Sequence, residues 1–152
     1  MRVLAIDPGE RRLGLAVSDP TGVIALPLEI IERAGWASDL DRLRRVIHTH
    51  EITEVVVGRP LTTRGTIGPQ AQVAGRFAAR LRSALALPVT EVDERLSTAA
   101  AERAIREAGR RASRRRTRSD AVAAALILQP YLDQRRRGGP LRGPKGDAML
   151  PP

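Results

Sequence analysis

The chain has 152 residues and a mass of 16.5 kDa, the size of one domain with its own core. It contains no cysteine, which excludes disulfides, thiolate metal sites, iron–sulfur clusters and cysteine nucleophiles. Asp7 interrupts the first apolar run, so we expect no signal peptide, and no stretch approaches the roughly 20 apolar residues of a membrane span. We therefore expect a soluble, cytoplasmic protein.

The charge balance points to a polyanionic partner. Lysine and arginine number 26 against 17 aspartate and glutamate, which gives a net charge of +9 and a pI near 11.5. Every basic residue except Lys145 is an arginine, whose planar guanidinium can grip a phosphate in two places. We expect nucleic acid as the partner and no membrane.

Three short apolar runs near the N-terminus predict an antiparallel meander. They cover residues 2–7, 13–18 and 23–31, with a D-P-T-G turn between the last two. The period then becomes helical, with one apolar face made of Trp36, Leu40, Leu43 and Ile47. Ser38 and Asp41 have the spacing of a capping box at the start of this helix.

The middle of the chain predicts a strand, a helix and another strand. The first strand is expected at 52–58, followed by a Gly-, Pro- and Thr-rich loop at 59–69 that is a candidate lid or substrate guide. The helix precedes a strand at 88–93, and its apolar line is Val73, Phe77, Leu81 and Leu85.

Two helices are expected after the last strand. The first runs from near Ser97 to Gly109. The second covers about 119–135, is apolar on nearly every side from 121 to 128, and is expected to bend or stop early at Pro130.

The order β-β-β-α-β-α-β-α-α predicts an α/β fold. A meander followed by strand–helix–strand units forms a five-stranded mixed sheet with helices on its faces. We expect this domain to cover residues 1–136. Residues 137–152 are rich in glycine and proline with little to bury, and we expect them to be a disordered tail.

Acidic residues stand where ligands bind such a sheet, beyond the carboxyl ends of its strands. Asp7 ends the first strand, Asp93 and Glu94 end the fifth, and Asp120 begins the last helix. Three carboxylates without a His or Cys partner suit Mg²⁺ or Mn²⁺, as one ion or a pair. Because such ions activate water and stabilise charge at a phosphate, the pattern indicates phosphodiester chemistry.

Each acid also has a simpler structural interpretation. Asp7 precedes Pro8-Gly9 and could shape a turn, and either Asp93 or Glu94 could flank a helix N-terminus. Asp120 follows Thr117 at helix-cap spacing. A metal site is favoured because all three acids are expected at the same edge of one sheet.

Four segments closely resemble the YqgF family, also called RuvX and described as Holliday-junction resolvases. They are DPGERRLGLA at 7–16, GRPL and GTIGPQAQ within 58–72, DERLST at 93–98 and DAVAAALILQ at 120–129. The match is collinear over about residues 1–136, and DERLST after a strand is its more specific element. The resemblance implies an RNase H-like fold and a metal-dependent nuclease, which the family links to maturation of the pre-16S rRNA end and to branched DNA.

The resemblance also implies a role for each acid. Asp7 would be the central metal ligand, shared by both ions if there are two. Glu94, or its neighbour Asp93, would be the second ligand, and Asp120 the third. Consecutive strand residues face opposite sides of a sheet, but the end of a strand can turn either residue inward. We favour Glu94 and keep Asp93 as the alternative.

The chain departs from the related RuvC resolvases at Gly58-Arg59, where their fourth strand would end in a glutamate. The missing acid argues against junction cleavage by the same geometry. It leaves a site of three carboxylates intact.

Arginines surround the expected site. Eight of them lie within residues 103–118, just before the last helix: Arg103, Arg106, Arg110, Arg111, Arg114, Arg115, Arg116 and Arg118. Five more lie in turns or beside the acids: Arg11, Arg12, Arg59, Arg64 and Arg95. We expect them to hold phosphates, although such a run can also be a solvated face and Arg95 could simply balance the acids. With only three aromatic residues, recognition should be of backbone and shape.

The leading interpretation is a Mg²⁺- or Mn²⁺-dependent nuclease acting on RNA, with structured DNA as the second substrate. A phosphotransferase of the actin or sugar-kinase type shares the D-x-G turn but needs two such domains. A non-catalytic RNA-binding module for ribosome assembly would use the same basic surface. A homodimer stays open, because a junction resolvase would need two sites related by symmetry.

Overall fold

The computed structural model describes residues 2–59, 68–93 and 113–138. These residues form the expected α/β arrangement, in the order β1 (Arg2–Pro8), β2 (Arg12–Ser18), β3 (Ala25–Glu32), α1 (Trp36–Thr49), β4 (Ile52–Arg59), α2 (Pro69–Ala84), β5 (Val89–Asp93) and α3 (Ser113–Arg136). Among the helices of this part of the chain, none is both long and apolar enough to cross a membrane.

The five strands form one mixed sheet in the order β3-β2-β1-β4-β5. β2 pairs antiparallel with both β1 and β3, which is the expected meander. β4 pairs parallel with β1 and with β5. Short links permit only antiparallel pairing, whereas the parallel pairs need the longer crossovers that contain helices. β1 is therefore the central strand, with its carboxyl end beside that of β4.

Strand alternation divides the core between the two faces of the sheet. On one face, Leu4 and Ile6 of β1 pack with residues of α1 and α2, including Leu43 and Phe77. We call this the α1–α2 face. On the other, the α3 face, Val3 and Ala5 pack under α3. The parity of a residue in β1 thus decides which helix layer it meets.

Helix α3 lies on its face through a continuous stripe at helical spacing, made of Ala124, Ile127, Leu128 and Tyr131. The helix runs through Pro130 to Arg136, so the expected early stop at this proline is wrong. Pro130 lies on the exposed side of the helix. The buried stripe lies on the opposite side of the helix from Pro130. The backbone N–H that proline lacks is therefore missing on the solvent side, where its loss does not disturb the packing against the sheet.

The direction of α3 is set by contacts near its C-terminal end. Leu132 and Arg135 line one groove together with Val3, at the start of β1. Buried Glu54, near the start of β4, accepts hydrogen bonds from the hydroxyl of Tyr131 and from Arg135. The helix therefore runs antiparallel to β1, and its N-terminal half lies toward the carboxyl ends of β1 and β4.

The expected capping box of α1 is wrong. The helix begins at Trp36, Gly35 is its N-cap with φ of 107°, and no side chain caps it. Ser38 and Asp41 lie inside the helix, and Asp41 forms an ion pair with Arg45 at 2.7 Å. The backbone turn at Gly35 starts the helix earlier than the capping-box spacing implied, because only glycine adopts this φ easily.

Several expected features fall outside the described residues. They are the helix expected from Ser97 to Gly109, positions 60–67 of the expected loop, and the tail from 139 onward. The ends of the loop are described: Arg59 closes β4, and Pro69 is the first residue of α2.

Candidate active site

Asp7 occupies the carboxyl end of the central strand on the α3 face. It shares the parity of Val3 and Ala5, whose side chains pack under α3. Its partner across the antiparallel pair is Gly14. On the parallel side, Gly58 follows Val57, which pairs with Ile6, so Gly58 lies level with Asp7. The carboxylate is thus flanked on both neighbouring strands by residues without side chains, which leaves space around it for a ligand.

A tight turn follows Asp7 and leads into β2. The backbone N–H of Gly9 donates to the carbonyl oxygen of Arg12 at 2.8 Å. A Cβ at Gly9 would lie 3.0 Å from that same oxygen, so this close approach requires glycine. The D-P-G sequence therefore does shape a turn, and the turn sets the direction in which the chain leaves Asp7.

Of the two acids expected at the end of β5, the structure describes Asp93 alone. Val92 packs with the core of the α3 face, whereas Val89 belongs to the core of the α1–α2 face. Asp93 has the parity of Val89, so alternation places it on the face opposite to Asp7. Glu94 lies outside the described residues.

The third acid, Asp120, lies in the N-terminal half of α3, where the backbone alone is described. Position 120 precedes Ala124 by four residues and Ile127 by seven. Both of those residues are fully buried against the sheet. In sequence, position 120 therefore continues the spacing of this buried stripe.

Within the described part of the chain, no three His, Cys, Asp or Glu side chains come close enough together to hold a metal ion. Of the four residues considered as ligands, Asp7 and Asp93 have described side chains, and Asp7 is the one expected at the centre of the site. Its carboxylate oxygens are a donor type that Mg²⁺ and Mn²⁺ prefer. The glycines beside it leave room for an ion with its waters, so this position fits such an ion.

Three of the arginines expected to bind phosphate have described side chains, and their surroundings differ. Arg11 is exposed in the turn after Asp7, and Arg12 forms an ion pair with Glu32 at 3.0 Å. Arg59 forms an ion pair with Glu91 at 3.1 Å on the α1–α2 face, and only 21% of its side chain is exposed. The charge of Arg59 is therefore already partly compensated by a protein carboxylate.

The other candidate arginines lie outside the described side chains. Positions 114, 115, 116 and 118 fall in the first turns of α3. The remaining ones lie outside the described residues: Arg64, Arg95, Arg103, Arg106, Arg110 and Arg111.

Sequence patterns missed two residues that support the turn after Asp7. Arg33, in the link between β3 and α1, donates through Nη1 to the carbonyl oxygen of Gly9 at 2.7 Å. Asp39, which is 1% exposed, lies 3.5 Å from the Nε of Arg33. The one sequence feature that could have indicated this pair is Asp39, an acid in the first turn of α1. An acid at this position is ordinarily explained by the helix dipole.

The fold and the position of Asp7 define the class. A meander followed by two parallel strands, with a carboxylate at the end of the central strand and a helix across the same face, is the arrangement of RNase H-like proteins. A solved structure titled "T. thermophilus RuvC in complex with Holliday junction substrate" aligns with a TM-score of 0.55 at 23% identity. The alignment covers 91% of this chain and 96% of that one. The expected fold is confirmed.

Sequence comparison then gives the family. The family model RuvX, described as Holliday junction resolvase, matches residues 1–134. A protein of Roseiflexus sp. (strain RS-1) is 45% identical over 89% of this chain and 96% of its own length. One of Geobacillus kaustophilus is 46% identical over 90% of this chain and 100% of its own. Both are named "Putative pre-16S rRNA nuclease". The chain belongs to the RuvX family, as its motifs indicated.

Proposed function

We propose that this protein is a divalent-metal-dependent nuclease that hydrolyses RNA phosphodiester bonds, with a precursor of 16S rRNA as its cytoplasmic substrate. The observation that carries the proposal is the place of Asp7 at the carboxyl end of the central strand, on the face that α3 covers. Position 94 has the parity of Val92, and position 120 has the helical spacing of Ala124 and Ile127. We therefore infer that both would face the same side of the sheet as Asp7. Relatives named as pre-16S rRNA nucleases support the choice of RNA.

Asp7, Glu94 and Asp120 would hold the ion or ions. The metal would supply charge stabilisation at the phosphate under attack and activation of the attacking water. In the hydrolysis, an oxygen–phosphorus bond forms to water, the bond to the leaving ribose oxygen breaks, and that oxygen takes up a proton. The task of the protein is to hold three carboxylates together on a rigid sheet edge, which the turn after Asp7 supports.

The basic residues would supply the grip on the rest of the polyanion. Arg11 is exposed in the turn beside Asp7, and the arginines of 114–118 lie on the first turns of α3. Contacts of this kind bind phosphates without reading bases, so binding should weaken steeply with salt. Cleavage specificity would then come from the shape of the RNA.

A second candidate activity is endonucleolytic cleavage of a four-way DNA junction, favoured by the family description. It would require a homodimer with two sites related by symmetry. Gly58 stands level with Asp7 on the α3 face and supplies no carboxylate from β4. We therefore rank RNA cleavage first.

The test compares end-labelled single-stranded RNA, precursor rRNA and a four-way DNA junction in Mn²⁺, Mg²⁺ or EDTA. Asp7→Asn and Glu94→Gln should each reduce metal-dependent RNA cleavage at least about 100-fold, since loss of even outer-shell support costs 10–100-fold at metal sites. Both variants should still bind RNA in EDTA, because the arginines remain. The matched control is Asp41→Asn, which removes an exposed carboxylate on α1.

Asp93→Asn tests the assignment of the second ligand. Alternation places Asp93 on the opposite face, so this variant should retain most of its cleavage while Glu94→Gln does not. The reverse result would make Asp93 the ligand. Symmetric junction cleavage instead of RNA cleavage would favour the second candidate, and metal-independent binding without any cleavage would overturn the nuclease assignment.

A further inference from the structure

Arg33 connects the turn after Asp7 to the helical layer behind the sheet. It lies in the link between β3 and α1, and β3 ends at the same edge of the sheet as β1. Its Nη1 donates to the carbonyl oxygen of Gly9 at 2.7 Å. Its backbone N–H donates to the carbonyl oxygen of Arg11 at 2.8 Å. One residue therefore fastens the turn at two carbonyl groups, on both sides of its tip.

The guanidinium of Arg33 is itself held from two directions. Its Nε lies 3.5 Å from Oδ2 of Asp39, a carboxylate that is 1% exposed. The other oxygen of Asp39 accepts the backbone N–H of Ala34 at 2.9 Å, so this carboxylate cannot rotate freely. The guanidinium also lies over the ring of Phe77 from α2, 5.3 Å from its centroid. Its direction is thus determined by both α1 and α2.

This arrangement needs arginine rather than any cation. The planar fork can stack on a ring, face a carboxylate through Nε and donate to a carbonyl group through Nη1 at the same time. A lysine ammonium at the end of a flexible stem cannot satisfy all three contacts. Since Gly9 is only two residues from Asp7, releasing its carbonyl group would let the strand end and the Asp7 carboxylate move.

We propose that Arg33, held by Asp39 and Phe77, is a positioning residue that keeps the Asp7 carboxylate in place for metal binding. The proposal rests on the proposed function for the role of Asp7. The contacts of Arg33 with the turn stand independently of that role. Metal affinity is then partly set from the α1–α2 face, on the far side of the sheet from the ion.

The test uses Arg33→Lys in the full-length protein, with Asp39→Asn as a second variant that keeps the acceptor for Ala34 but removes the charge facing Arg33. The matched control is Arg44→Lys, because Arg44 also donates to a backbone carbonyl group, that of Ala84 at 3.1 Å, far from the turn. Three properties are measured: amide hydrogen exchange of the metal-free protein, Mn²⁺ binding by electron paramagnetic resonance, and the Mn²⁺ dependence of RNA cleavage.

We expect faster exchange at the Gly9 amide in Arg33→Lys and Asp39→Asn, and a Mn²⁺ dissociation constant raised by about tenfold, the lower end for lost support of a metal ligand. The Mn²⁺ concentration for half-maximal cleavage should rise in parallel, and cleavage should recover at saturating Mn²⁺. A merely stabilising residue would lower the melting temperature and leave the half-saturating Mn²⁺ concentration unchanged.

The two failures are distinguishable. If the wild type cleaves RNA and both variants keep its Mn²⁺ affinity and Gly9 exchange rate, the positioning role is wrong and the proposed function stands. If the wild type does not cleave any substrate, the proposed function fails, whereas exchange and Mn²⁺ binding still decide the role of Arg33. An equal loss of Mn²⁺ affinity in Arg44→Lys would also overturn the positioning role.

Discussion

Removing the hydroxyl of Tyr131 should weaken the attachment of α3 to the sheet. This hydroxyl donates to Oε2 of Glu54, and Tyr131 is 5% exposed. Oε1 of the same carboxylate accepts Nη1 of Arg135 at 2.5 Å. Tyr131→Phe keeps the ring and its packing and removes the hydroxyl, with its hydrogen bond to buried Glu54 and its contact with Thr90.

A hydrogen bond to a charged group contributes about 1.5–3 kcal/mol, because the buried acceptor is otherwise left without that donor. We therefore expect Tyr131→Phe to lower the free energy of unfolding by about 2 kcal/mol. For a chain of this length, that corresponds to a fall in melting temperature of about 4–8 °C. Urea unfolding should show a lower midpoint with an unchanged slope, since no additional surface is exposed.

The destabilisation should depend on pH. Burial, and next the hydrogen bond to Glu54, raise the pKa of Tyr131 well above its usual value of 10.0. The folded state therefore keeps the proton when the unfolded chain loses it. The contribution is fully present below pH 10 and is lost as the pH rises above 10. The stability difference between wild type and Tyr131→Phe should shrink over that alkaline range.

The measurement is urea unfolding of wild type, Tyr131→Phe, Glu54→Gln and the double variant at pH 8 and above pH 10. The double-mutant cycle should give a coupling free energy above about 1 kcal/mol at pH 8. A loss below about 0.5 kcal/mol in Tyr131→Phe, or a difference that does not change with pH, would refute the reasoning. Cleavage by Tyr131→Phe should be unaffected, because the contact lies at the opposite end of the sheet from Asp7.

Two further predictions concern turns. Gly9→Ala should distort the turn after Asp7, because the new Cβ would lie 3.0 Å from the carbonyl oxygen of Arg12. We expect a weaker Mn²⁺ affinity in this variant, measured by electron paramagnetic resonance, and an unchanged affinity would contradict the prediction. In the loop from β2 to β3, the backbone N–H of Ile24 and the hydroxyl of Thr21 hold the pKa of Asp19 well below its usual 3.8. Asp19→Asn should therefore lower the urea midpoint at pH 7, and the difference should disappear as the pH falls below about 4; a difference that persists at low pH would show that charge is not the cause.

The architecture followed from the sequence where periodicity was strong. Apolar runs located the three strands of the meander, and the Leu40 and Leu43 spacing located α1, because burial of one face dictates these periods. The Val55–Val57 run predicted a buried strand, since both faces of β4 are covered by helices. The family motifs led to the same RNase H-like fold.

Local sequence patterns gave wrong predictions at the start of α1 and at Pro130 of α3. The Ser38 and Asp41 spacing suggested a capping box, but the left-handed turn at Gly35 starts the helix two residues before Ser38. Pro130 suggested an early end to α3, but burial of Leu128 and Leu132 outweighs the loss of one helical hydrogen bond. At the start of α1 the backbone conformation of Gly35 outweighed the capping preference. In α3 the burial of distant apolar residues outweighed the helix-breaking preference of proline.

The sequence by itself determined the acids, the strand ends that carry them and the family, because motif spacing and hydrophobic period are properties of neighbouring residues. Alternation along a strand indicated that positions 93 and 94 face opposite sides of the sheet, but a strand end can turn either one inward, so the sequence left the choice between Asp93 and Glu94 open. Only the tertiary structure decided which side belongs to Asp7, since that depends on which helix covers each face. The contact of Arg33 with Gly9 was likewise invisible in the sequence, because the two residues are 24 positions apart and are brought together by strand pairing and not by any local pattern.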